Sequence, residues 1–225
     1  MVDTLSKYIT TYSKAHFAPT EPTAEDIKIE DIAHALSLMC RANGHFKRFF
    51  SVAQHSINCA MEAKARGCSK KVQLACLIHD ASEAYLADIT RPVKSYLPQY
   101  LLFEEKLQTM IYNKFLDSEL TEDELKQLSE VDDAMLYYEF MELMEEKIFD
   151  IQPELMGKPN FETRDFKAIE YQFLNIYKSL TQGEMNPLFT NQKYLSVGVD
   201  GCEGKWLAVA LTDNGFEVDL LKNIS

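Results

Sequence analysis

The apolar positions of this chain keep a helical rhythm over most of its length and an alternating one near its end. Ser51 and Gln54 have the form of a capping box, so a helix starts near Val52, carries His55 in its first turns and stops at Gly67. Ser69 can cap the next, in which Val72, Leu74, Ala75, Leu77 and Ile78 are too rich in bulky side chains to face water, and His79 and Asp80 close it. Thr121 with Glu124 makes a second capping box. It opens a long helix whose Leu125, Leu128, Asp132 and Met135 share one face. A last helix runs from Thr163 to Leu180, after which Gln182 through Pro187 breaks the pattern.

Beyond that break, Tyr194 to Asp200, Trp206 to Leu211 and Phe216 to Leu221 have strand composition, with turns at Gly201 to Gly204 and Asp213-Asn214-Gly215. The expectation is a mainly α protein, a helical domain over residues 1–185 followed by a short β meander over 191–225. A length of 225 residues suits one helical domain with a sizeable core and a small appendage, and a hydrophobic content of 46% is ordinary for a globular chain.

One stretch carries chemistry. Ile78-His79-Asp80 ends an apolar run, and Glu83 follows three residues later. Neutral imidazole and carboxylate are ligands of borderline divalent metals, and a further carboxylate can act on water held by such a metal. His55 upstream and Asp132-Asp133 downstream add donors on helices. Asp132, on an apolar stripe, needs a cation or several hydrogen-bond donors, because an unpartnered buried carboxylate costs several kcal/mol. Asp133 shares a face with Ser129 and Leu136 and is the less constrained of the two; both stay open as the ligand. Arg91 and Lys94 flank Pro92, which fixes the backbone between two clamp candidates for phosphoryl oxygens. His34 reads as a satisfied core histidine, His45 as a turn residue and His16 as a surface residue.

Asp31-Ile32-Ala33-His34-Ala35-Leu36-Ser37, Cys40-Arg41 with Gly44-His45, Arg48 through Ser56, and His79-Asp80-Ala81-Ser82-Glu83 through Asp88 to Lys94 come in an order that resembles the HD superfamily of metal-dependent phosphohydrolases. Within it the likeness is to the bacterial 5'-deoxynucleotidases and their phage-type relatives. It is close over residues 25–145 and loose to residue 182. The resemblance implies an HD-domain helical bundle, with His55, His79, Asp80 and Asp132 as ligands of one divalent metal ion (Mn, Co, Fe, Ni or Zn). It implies Glu83 as the residue that orients or deprotonates the attacking water and Asp88 as a second acid near the sugar or leaving oxygen. Arg41 matches the family's phosphate-binding Arg, and Lys94 lies where the active-site loop ends. Ala42 stands where the family has a Trp, so sugar discrimination by that Trp does not carry over.

The implied activity is removal of phosphate from nucleoside 5'-monophosphates, 2'-deoxy ones first. Alternatives are another HD-type hydrolysis (of a triphosphate, a cyclic nucleotide or a guanosine polyphosphate) and a non-catalytic nucleotide-binding regulator. Glu83 beside an intact ligand set argues against the regulator. Gly198-Val199-Asp200-Gly201-Cys202 with Gly204-Lys205-Trp206 resembles the first strands of an RNase H-like family, but too few residues follow to build that site, so Asp200 is expected in a turn.

A formal net charge of -12 leaves no basic footprint for duplex nucleic acid, so the expected partner is a small-molecule nucleotide captured locally. The five cysteines show no Cys-x-x-Cys spacing and are expected as reduced thiols. Without a signal-peptide core or a membrane-length apolar run, the expected location is the cytoplasm. Exposed strand edges in the tail would suit pairing within a homodimer.

Overall fold

The computed structural model describes residues 7–182, together with the backbone of three strands between residues 196 and 221. Its chain divides into two units, Met1–Thr181 and Gln182–Ser225. The first unit begins with a small hairpin, β1 (Ile9–Thr10) against β2 (His16–Phe17), which delivers Phe17 into the core, where it stacks on Tyr85. Then come α1 (Ile29–Leu38), α2 (Val52–Ala65), α3 (Lys70–Ile78), the short α4 (Glu83–Leu86) and α5 (Arg91–Lys94), α6 (Pro98–Phe115), α7 (Glu122–Met144) and α8 (Phe166–Thr181). The unit is mainly helical.

Helix α2 is the centre of the packing and touches α1, α3, α7 and α8. Small residues let its neighbours approach closely: Ala53, Ala60 and Ala63 are buried along it, and Ile57 packs into a core shared with Ile32, Leu36, Leu77, Ile111 and Phe173. Both capping boxes are formed. Ser51 Oγ accepts from the Gln54 amide at 3.2 Å while Gln54 Oε1 accepts from the Ser51 amide at 3.3 Å, and Thr121 and Glu124 do the same for α7. Helix α2 ends at Ala65, and Gly67 supplies the left-handed turn after it with φ +75°.

Polar side chains on α2 are buried too, and Gln54, Asn58 and Glu62 find partners in the irregular segment before α8. Gln54 Nε2 donates to the Glu162 carbonyl at 2.9 Å, and Asn58 exchanges bonds with the Asn160 backbone at 3.0 and 3.1 Å. Glu62 accepts from the amides of Met156 and Gly157 at 3.0 and 2.7 Å, and from Arg66 Nε at 2.7 Å. Residues 54, 58 and 62 lie one turn apart, so this ladder fastens residues 154–162, which form no helix or strand, along a helix face.

Some expectations shift. The stripe on α7 is only partly buried, because its first turns overhang the core: Leu125 is exposed, while Met135 is fully buried. Helix α3 stops at Ile78, with His79 as its C-cap and Asp80 in the following turn. The segment holding Arg91, Pro92 and Lys94 is a short helix with Pro in its first turn, not a loop. The last helix starts at Phe166, three residues later than its pattern indicates.

In the second unit, β3 (Ser196–Cys202), β4 (Lys205–Thr212) and β5 (Gly215–Leu221) pair antiparallel in that order. Asp200 is paired within β3, opposite Leu207, rather than placed in a turn. The break read at Gln182 to Pro187 lies largely outside the described residues. No helix among the described residues is long and apolar enough to cross a membrane.

Because Ser51 is fully buried and caps the central helix, Ser51→Ala should cost about 1 to 2 kcal/mol of stability. Urea unfolding should show a lower midpoint at unchanged slope.

Candidate metal centre

His55 enters from the first turn of α2 and His79 from the end of α3, and in both the outer ring nitrogen is already committed. His55 Nδ1–H donates to Glu139 Oε1 at 2.6 Å, and His79 Nδ1–H donates to the Cys76 carbonyl at 2.8 Å. Those acceptors assign the tautomers and leave both Nε2 lone pairs facing inward, only 3.2 Å apart. Asp132 on α7 places Oδ1 at 3.1 Å from His55 Nε2 and 3.6 Å from His79 Nε2. Asp80 brings its carboxylate to 3.4 Å from His79 Nε2 and 3.7 Å from His55 Nε2.

Two lone pairs facing each other repel, so the arrangement calls for a proton or a cation between them. The charges agree. Burial and the nearby Arg41 disfavour a charged His55, yet Cys59, Glu139 and Asp132 together hold its proton affinity well above the ordinary imidazole value. Burial raises Asp132 as well, but the bonds and charge that the His55 and His79 rings offer when protonated at Nε2 hold it well below the usual carboxylate range. The pocket therefore attracts positive charge, and two imidazoles with carboxylates form a donor set that suits a borderline divalent ion.

The donor atoms of His55, Cys59, His79 and Asp132 all lie within 4.8 Å of one another, so these four residues form a group that could hold a metal ion. Cys59, one turn after His55 on α2, did not emerge from the sequence. Its Sγ lies 3.5 Å from His55 Nε2 and 3.9 Å from Nδ1. Near-equal distances place the sulfur against the flank of the ring, off the Nε2 lone-pair axis, and burial pushes the thiol up to about 11. Asp80, by contrast, is held below the usual carboxylate range by His79, His55 and Arg41 although burial opposes it.

A cavity of about 370 Å³ opens beside Asp80 and Asp132. Arg41, Arg91 and Lys94 line it together with Glu83 and Asp88, and Phe46, Leu136, Phe140 and Ile148 supply apolar wall. Glu83 is 4% exposed; one oxygen is 3.5 Å from Lys94 Nζ and the other, Oε2, has no hydrogen-bond partner among the described residues. Burial, reinforced by Asp80 and Asp88, raises its proton affinity well above the usual range. Asp88 is raised by burial as well. Lys94 is steadied by Glu104 at 2.5 Å and sits over the Tyr100 ring. Tyr100 Oη donates to the Ala87 carbonyl at 2.7 Å, holding that residue at φ 83°, a left-handed geometry rare outside glycine, just ahead of Asp88.

Arg41 turns Nη1 to Asp80 Oδ2 at 3.1 Å and Nε to Glu139 Oε2 at 3.2 Å. Arg91 is largely exposed and pairs with Asp132 Oδ2 at 3.0 Å and Asp133 Oδ1 at 3.5 Å. Asp132 thus faces both histidines as well as Arg91, whereas Asp133 meets Arg91 alone among the described residues. His34 stacks on Tyr12 and bonds Glu170 at 3.0 Å, away from the cavity. Glu139, fully buried behind His55, was also missed; the available signal was its position seven residues after Asp132, two turns along the same helix face.

No protein-family model matches the chain. The uncharacterized protein YfdR of Escherichia coli is 40% identical over 108 residues, which is 48% of this chain and 58% of that protein. An uncharacterized protein of Rhodobacter capsulatus is 38% identical over 101 residues, 42% of this chain and 51% of its own. The chain therefore spans just over half the length of these curated relatives, and neither name carries an activity.

Alanine at His55, His79, Asp80 or Asp132 should each abolish retention of one equivalent of Mn(II) or Zn(II), measured by elemental analysis after gel filtration. Asp133→Ala and Cys59→Ser should keep it. Retention by Asp132→Ala together with loss in Asp133→Ala would assign the α7 ligand to the wrong carboxylate.

Proposed function

We propose that this chain is an HD-type, metal-dependent phosphohydrolase that removes phosphate from a nucleoside 5'-monophosphate, with 2'-deoxyribonucleotides as the favoured class. The observation that carries the reading is the pair of inward Nε2 atoms 3.2 Å apart, bracketed by Asp132 and Asp80 at the edge of a cavity lined by three cationic side chains. A divalent ion held by His55, His79, Asp80 and Asp132 would neutralise phosphoryl oxygens and acidify water there.

This chain's own residues divide the remaining work. Arg41 and Lys94 hold phosphoryl oxygens, and Arg91, already beside Asp132, closes the clamp from the rim. Glu83, buried and with one unpartnered oxygen, orients the attacking water and takes its proton. Burial, which raises its proton affinity, makes it a stronger base for that proton. Asp88, in the same cavity, donates a proton to the departing sugar oxygen. The apolar wall of Phe46 and Phe140 suits a base, and the cavity lies in the range of roughly 300 to 1,000 Å³ common for small ligands.

With added metal, the protein should release phosphate from nucleoside 5'-monophosphates in a panel that also contains di- and triphosphates and cyclic nucleotides. Turnover confined to triphosphates or cyclic nucleotides would replace the proposed substrate. Glu83→Gln should keep metal and nucleotide binding yet lose turnover by roughly 10² or more; near-normal turnover would remove Glu83 from the proton transfer.

A further inference from the structure

We infer that Glu139 is a positioning residue that joins the cation-binding and phosphate-binding halves of the site through a single buried carboxylate. The inference rests on the proposed metal-dependent reaction and deepens it. Glu139 is fully buried on α7, and its two oxygens serve different partners. Oε1 accepts the His55 Nδ1–H at 2.6 Å, while Oε2 lies 3.2 Å from Arg41 Nε. Arg41 in turn reaches Asp80 Oδ2 at 3.1 Å, and that same oxygen is 3.7 Å from His55 Nε2. Four side chains therefore close a ring in which neither His55 nor Arg41 can move without disturbing the other.

The choice of a carboxylate is informative. Oε2 makes a charge contact without an aligned hydrogen bond, so part of a buried charge is left incompletely paired. A hydrocarbon there would strand the His55 Nδ1–H and the buried Arg41 guanidinium, and an amide would leave Arg41 without its counter-charge. A carboxylate does two things that those cannot. Behind a metal-binding imidazole it fixes the tautomer and strengthens the donor nitrogen. Against Arg41 Nε it pins the guanidinium, whose Nη2 has no hydrogen-bond partner among the described residues and is free to meet an anion.

Glu139→Gln keeps the volume and an acceptor for His55 but removes the charge. Its Mn(II) dissociation constant should rise about 10- to 100-fold over wild type. In saturating Mn(II), inorganic phosphate should bind roughly tenfold more weakly, reflecting a loosened charge-assisted contact. A merely structural role would lower thermal stability and leave both constants unchanged, and that result in the folded variant overturns the inference.

A measurement on unaltered protein covers the case of a variant that does not fold. Imidazole ¹H–¹⁵N spectra of Zn(II)-loaded wild type should show the His55 proton on Nδ1 and the metal on Nε2; the opposite tautomer overturns the inference. Both measurements are independent of turnover, so failure to hydrolyse nucleotides would count against the proposed reaction alone. Wild-type protein that binds neither Mn(II) nor Zn(II) would overturn both.

Discussion

A helix buried over most of its surface can carry polar residues only if each buried one is answered, and α2 imposes that condition on the rest of the first unit. His55, Gln54, Asn58 and Glu62 are all buried on it. An unanswered buried polar group costs about 1 to 3 kcal/mol, more when charged. The irregular segment ahead of α8 answers one face through backbone bonds from residues 156–162, and α7 answers the other through Glu139 and Asp132. The same requirement that organises the fold therefore delivers two helices' worth of donors to one point.

At that point the electrostatics set what can happen. Asp80, Asp132 and Glu139 surround two imidazoles, with Arg41 as the nearest fixed cation. A divalent ion held there would offset two of those negative charges, with Arg41 and Arg91 already paired against the same carboxylates. In a chain of formal net charge -12, capture of an anion as proposed would depend on the local field of a few cavity groups and not on the overall charge.

Elements with strong local signals were legible in the sequence. The capping boxes at Ser51 and Thr121 mark the starts of α2 and α7, and Gly67 marks the turn after α2, because these signals arise within a few residues. Histidine and aspartate at the ends of apolar runs are equally visible, since their polarity conflicts with their neighbours. Glu139 and Cys59 were not legible for a different reason. Glu139 is 84 residues from His55, and its place seven residues after Asp132 is a weak mark against the solvent-facing acids around it until tertiary packing buries it. The Gln54, Asn58 and Glu62 ladder hid in the same way, because its partners are backbone groups of a segment with no periodicity of its own.

The central claim is that His55, His79, Asp80 and Asp132 hold a cation between two inward imidazole nitrogens. Anomalous diffraction at the manganese edge, from crystals grown with Mn(II), tests it most directly. The account predicts one strong peak about 2.0 to 2.3 Å from His55 Nε2, His79 Nε2 and carboxylate oxygens of Asp80 and Asp132. A well-ordered site without that peak, or an ion bound through Cys59 Sγ with Asp80 turned away, would contradict it.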